Sequence, residues 1–123
     1  MKFLMCLLLY EQNIGVIVAD LNFTLCSVPM LLSRNKSKEY QERMILKLAV
    51  LLGFLKGNNL IFTNPFKLDG SLDLECILKK NDAAPECVEL FKKVIPGWFS
   101  YLDKGGDVNN TNRLSQGLKK LTS

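Results

Sequence analysis

Four carboxylates in the middle of the chain, Asp69, Asp73, Glu75 and Asp82, are the side chains most able to form an acid/base pair. A pair of that kind needs two carboxyl groups held in different environments, and nothing in the local sequence fixes such a geometry. Exposed turn or strand positions are the simpler expectation for all four. The chain contains no histidine. That removes the usual general base, the usual zinc ligand and every Ser–His or Cys–His nucleophile pair. The four cysteines, Cys6, Cys26, Cys76 and Cys87, stand singly with no C-x-x-C pair among them. Buried free thiols are expected, and no metal centre. Asp103, Asp107 and Asn109 surround Gly105-Gly106 in a faint imitation of a calcium loop, but the acid required at the twelfth position falls on Leu114. A helix stop followed by a helix cap accounts for the same residues. No glycine-rich phosphate loop is present, so no cofactor and no small-molecule substrate are expected, and the chain is not expected to be an enzyme.

Charge offers a different kind of chemistry. The formal net charge is +4, and it is concentrated where Arg34, Lys36, Lys38, Arg43, Lys47 and Lys56 face only Glu39 and Glu42. Such a stretch suits an acidic partner, a nucleic acid or an anionic surface. A solvated helix face explains it equally, and the lack of interleaved aromatics speaks against nucleic acid.

These residues must be positioned by a fold, and 123 residues with 48% hydrophobic content suffice for one domain spanning residues 1–123. The pattern predicts a mainly α, single-domain helical fold with room for one small β-hairpin, and α+β as the alternative. Residues 1–10 imitate a secretory signal, but Glu11, Gln12 and Asn13 break the apolar run and no small-x-small cleavage site follows. Lys2, Glu11 and Asp20 leave no window for a transmembrane helix. The triplets at Asn22, Asn35 and Asn109 match the glycosylation acceptor pattern, which matters only for a chain secreted by a eukaryotic cell.

From Ile14 to Leu32 the apolar residues follow neither period, leaving helix and buried strand open, with Pro29 ending or kinking whatever precedes it. Residues 33–36 read as a loop. A helix then starts at the N-cap Ser37, repeats Tyr40, Met44, Leu48 and Leu55 on one face, and is expected to stop at Gly57. Leu60-Ile61-Phe62 and Leu72 to Cys76 are two short extended candidates that could pair as a hairpin. A second helix is expected from an N-cap at Asp82, with Pro85 in its first turn and an interruption at Pro96. Gly105-Gly106 ends it, and a last helix from Thr111 to Leu121 buries Leu114, Leu118 and Leu121. Trp98 falls on the buried stripe, either as core or as a partner hot spot.

The C-terminal third carries Lys80 to Cys87, Leu90-Phe91-Lys92-Lys93, Trp98 to Gly105 and the Leu114–Leu118–Leu121 helix. In that sequence of features it resembles small bacterial immunity proteins of contact-dependent inhibition and other polymorphic toxin systems. Ala83-Ala84-Pro85, Cys87 and Pro96 depart from that group's pattern. The resemblance implies a cytoplasmic inhibitor that binds a cognate toxin, such as a nuclease, and occludes its active site without catalysis of its own. It points to three candidate surfaces: the mixed stretch bearing Asp69, Asp73, Glu75 and Asp82; the basic face bearing Arg34, Lys36, Lys38, Arg43 and Lys47; and the turn with Asp103, Lys104 and Asp107. The competing expectations are a small secreted or envelope protein with an N-terminal signal and a basic nucleic-acid-binding accessory protein.

Overall fold

A computed structural model of the chain describes residues 22 to 122. The signal-like residues 1–10, Cys6 and the first part of the ambiguous apolar segment lie outside the described residues. The remainder is mainly α-helical with one small antiparallel sheet. The order is β1 (Thr24–Ser27), α1 (Val28–Leu32), α2 (Lys38–Gly57), β2 (Ile77–Lys79), a 3₁₀ turn (Lys80–Asp82), α3 (Pro85–Lys93), α4 (Ile95–Asp103) and α5 (Asn112–Thr122).

The apolar segment whose period is ambiguous contains both a strand and a helix. Ser27 is the last residue of β1 and also the N-cap of α1, its hydroxyl accepting from the Met30 N–H at 3.2 Å. Pro29 lies in the first turn of α1, where its missing N–H breaks no helix bond. The strand is thus ended by the start of a helix. Tyr40 and Gln41 of α2 then donate to the exposed carbonyls of Leu31 and Leu32, which satisfies the C-terminal end of α1 and fixes its angle to α2.

Helix α2 begins as expected, with the Ser37 hydroxyl accepting from the Tyr40 N–H at 3.1 Å. Leu48, Leu51, Leu52 and Leu55 are fully buried. Its last helical residue is Gly57, where the stop is expected, and Asn58 is the C-cap; the residue that enters the left-handed region is Asn59, with φ of 58°. Asn enters this left-handed region more readily than other residues with a side chain.

β1 pairs with β2 through Thr24–Lys79, Cys26–Leu78 and Ser27–Ile77. An irregularity between Thr24 and Cys26 breaks the alternation, so that Leu25 and Cys26 are both buried. The two expected extended segments do not pair with each other. Ile61 instead bridges Ala83, and Leu72 bridges Phe66. The strand that closes the sheet comes from the N-terminal side because Leu25 and Leu78 both need an apolar interior, a requirement that acts across the whole chain.

Asp82 does not cap α3. Its carboxylate accepts from the Lys79 N–H at 3.0 Å and closes the 3₁₀ turn, while Ala84 is the N-cap and Pro85 the first helical residue. The interruption at Pro96 is present: α3 stops at Lys93, Val94 is the joint, and α4 restarts with Pro96 in its first turn. Gly105, with φ of 96°, ends α4 in a Schellman arrangement. The Gly106 N–H reaches Tyr101 O and the Gly105 N–H reaches Leu102 O, both at 3.0 Å.

The core is one cluster to which β1, α1, α2, β2, α3, α4 and α5 all contribute. Trp98 is fully buried in it, and its indole N–H donates to Asn110 O at 3.0 Å, which settles its role as core. No helix among the described residues is long and apolar enough to cross a membrane.

Candidate functional site

The crossover from α2 to β2, residues 58 to 76, is long for a connection without helix or strand of its own. Loops of more than about 12–15 residues of this kind are uncommon in compact domains and usually functional. Here the carboxylates and amides of the crossover order it. Asn64 Oδ1 accepts from the Phe66 N–H, Asp69 Oδ1 from the Ser71 N–H, and Asp73 Oδ1 from the Glu75 N–H, each at 3.0 Å. These are Asx turns, in which a short polar side chain mimics a backbone turn. Asp69 accepts in addition from the Ser71 hydroxyl at 2.7 Å. That bond, followed by the one from the Ser71 backbone, holds the Asp69 carboxyl below its usual range.

Within the crossover a small hairpin closes on itself. The Lys67 N–H donates to Ser71 O and the Gly70 N–H to Lys67 O, with Gly70 at a φ of 88°. This leaves Leu68-Asp69-Gly70 as a three-residue loop, a length that places glycine in the left-handed position. Leu68 at its tip is fully exposed. Phe62 is 67% exposed, and Leu74 and Ile77 are exposed as well. A large apolar side chain ordered in solvent needs a reason when several are carried by one rigid segment. The crossover therefore presents apolar side chains interleaved with Asp69, Asp73 and Glu75, and Asp82 joins it through the Phe62 N–H bond to Asp82 O at 2.8 Å.

The other two candidate surfaces divide differently. On the basic face, Arg43 pairs with Glu39 at 3.6 Å, and Lys47 reaches Asp103 of α4 at 3.4 Å. Asp103 is thus tied to the basic face. Arg34, Lys36 and Lys38 stand at the α1–α2 connection and the first turn of α2, Arg34 half-buried and the two lysines exposed. In the turn, Asp107 Oδ1 accepts from the Asn109 N–H at 2.9 Å, an Asx turn like those of the crossover. Among the described residues no group of three or more Cys, Asp or Glu is arranged to hold a metal.

Lys104 lines a cleft of about 440 Å³ at the junction of α4 and α5. One wall is the face of α4 that carries Gly97, Ser100 and Tyr101, with Lys104 at its C-cap, and the Gly105-Gly106 turn and Arg113 from the first turn of α5 complete the lining. The Tyr101 ring is fixed on several sides. Its hydroxyl accepts from the Asp107 N–H at 3.0 Å and from Asn110 Nδ2 at 3.2 Å, while the Arg113 guanidinium lies 5.2 Å from the ring centre. A Cβ on Gly106 would stand 2.5 Å from the ring carbons, so only glycine allows this approach. Arg113 does not stand out in the sequence. The signal that could have found it is its position in the first turn of a helix that follows a glycine stop.

The thiols of Cys26 and Cys87 are fully or nearly fully buried, and Cys76 is partly so. Burial pushes Cys26 up to about 12, with the neighbouring Cys76 and Cys87 adding to it; Cys87 also rises to about 12, through burial first and then Glu86. Thiols of this kind are poor nucleophiles and poor metal ligands. No protein-family model, curated protein or solved structure matches the chain.

Proposed function

We propose that the chain is an immunity-type protein that binds a cognate bacterial toxin domain through the 58–76 crossover and the adjoining Asp82, and neutralises it by covering its active site. The observation that carries this reading is an ordered crossover that holds Leu68 and Phe62 in solvent beside Asp69, Asp73 and Glu75. Apolar anchors surrounded by charge are what a specific protein interface uses: the anchors supply most of the affinity, and the charges supply orientation and on-rate. The acidic residues also answer a difficulty raised by the overall charge of +4, because the face that meets a basic, phosphate-binding toxin site is locally acidic. The pattern in the C-terminal third that resembles immunity proteins supports the same reading, and with it a bacterial cytoplasmic location.

The test is recovery of partners on the tagged chain from its native source, with Leu68→Asp and Phe62→Ser run in parallel. A stoichiometric toxin-like protein is expected on the wild-type chain, with at least about 30-fold weaker binding by either variant, the loss typical of a hot-spot residue. Both substitutions fall on exposed positions, so thermal unfolding should remain within about 0.5 kcal/mol of wild type. Equal recovery by the two variants, or co-expression with the toxin that gives the cell no protection, sinks the proposal.

A further inference from the structure

The α4–α5 cleft is built from different residues than the crossover and is independent of the toxin reading. We propose that it binds a small phosphomonoester, with Lys104 and Arg113 holding the phosphate. Three observations lead there. The volume of about 440 Å³ lies within the range of small-molecule sites and well above what a bare ion fills.

The lining of the cleft is also cationic. It holds Lys104 and Arg113 and no carboxylate, among the described residues neither cation makes an ion pair, and the adjoining Asp103 is turned to Lys47. Two cations lining one cleft match a phosphomonoester, which carries nearly two negative charges at neutral pH, better than a carboxylate with one.

Arg113 is held in advance of binding. Its guanidinium lies over the Tyr101 ring, and that ring is fixed by two hydrogen bonds to its hydroxyl and by the close approach of Gly106. A guanidinium that rests on an aromatic face keeps its in-plane N–H groups for a two-point contact with phosphate oxygens. Lys104, the C-cap of α4 one turn beyond Ser100 and Tyr101, supplies the second charge. The body of the ester would lie along Gly97, where the absence of a side chain leaves open space.

The test is an amide-resolved NMR titration of the full chain with glycerol 3-phosphate, inorganic phosphate and acetate at matched ionic strength. Saturable shifts at Lys104, Gly105, Gly106 and Arg113 are expected with glycerol 3-phosphate, weaker ones with inorganic phosphate, and at least ten-fold weaker ones with acetate. Lys104→Gln, at an exposed position, and Arg113→Gln should each weaken binding about ten-fold, with Arg113→Lys intermediate because the charge survives and the two-point contact does not. Absence of saturation at 10-millimolar-scale phosphoester, equal response to acetate, or unchanged binding by folded Lys104→Gln overturns the assignment (about 10 mM being the weak end of specific small-ligand binding).

Discussion

At the scale of single residues, the buried thiols make stability depend on alkaline pH. Cys26 and Cys87 move from an ordinary value of 9.0 up to about 12 in the folded chain, so above pH 9 the unfolded chain releases protons that the native chain retains. The native state then binds more protons, and stability must fall as pH rises from about 9 toward 12, by about 1.4 kcal/mol per pH unit for each thiol. Urea unfolding of wild type and Cys87→Ala between pH 8 and 10.5 isolates one of these contributions as a difference in slope. A shallower decline is expected for the variant, and parallel curves would contradict the assignment. That Cys26 and Cys87 are buried and free was legible from their apolar neighbours in sequence. That Cys26 lies close enough to Cys76 and Cys87 to be raised by them was not, because their proximity comes from strand pairing and helix docking between distant segments. The same limit explains why Arg113 escaped notice while Lys104 did not. A cation in a turn of mixed charges draws attention, whereas one whose importance is the aromatic ring beneath it does so only in three dimensions.

At the scale of elements, the joint between α3 and α4 is held by α5. Gly117 lies within α5 and directly against the side chain of Val94, the residue between the two helices; a Cβ at 117 would stand 2.6 Å from both Val94 methyl carbons. Glycine inside a helix ordinarily costs roughly 1 kcal/mol relative to alanine, so Gly→Ala should stabilise an unconstrained helix. Here the sign reverses, because a β-branched valine has no easy rotamer by which to retreat. Gly117→Ala is expected to destabilise by about 1–3 kcal/mol, the usual range for overpacking. Adding Val94→Ala should recover part of the loss, which a double-mutant cycle in urea would measure. If Gly117→Ala raises stability, the packing of α5 against the joint is wrong. Local signals of this kind divide by range. Ser37, Pro85, Pro96 and Gly105-Gly106 marked helix starts, a break and a stop correctly because each acts on its own backbone. Gly57 marked the end of its helix although Asn59 takes the left-handed turn, whereas Asp82 misled because Ala84 with Pro85 starts the helix two residues later. The β1–β2 pairing had no local signal at all, since its partners meet only after α1, α2 and the crossover have been placed.

At the scale of the whole molecule, the connectivity of the core decides how the chain unfolds. β1 lies against β2, α1 against α2, and α3 against both α4 and α5, and one apolar cluster joins these three groups through Leu25, Leu78, Leu48, Leu52, Phe91 and Trp98. With no second cluster among the described residues, loss of any one group exposes the apolar faces of the others. The described residues should therefore unfold in one step. Trp98 is the only tryptophan in the chain and is fully buried on α4, so its fluorescence follows the C-terminal helices alone. Far-ultraviolet circular dichroism is weighted instead toward α2, the longest helix. Coincident urea transitions by the two probes are the expected result. Leu48→Ala, at a fully buried position on α2, should lower both midpoints together by an amount equivalent to about 2–5 kcal/mol. A fluorescence transition that stays in place while the dichroism transition moves would show that α3–α5 hold together without α2. That outcome would divide the molecule between its two proposed surfaces, the crossover staying with α2 and the α4–α5 cleft with the C-terminal helices. If the transitions coincide, the crossover and the cleft share one folded scaffold, and binding at either site stabilises the fold that presents the other.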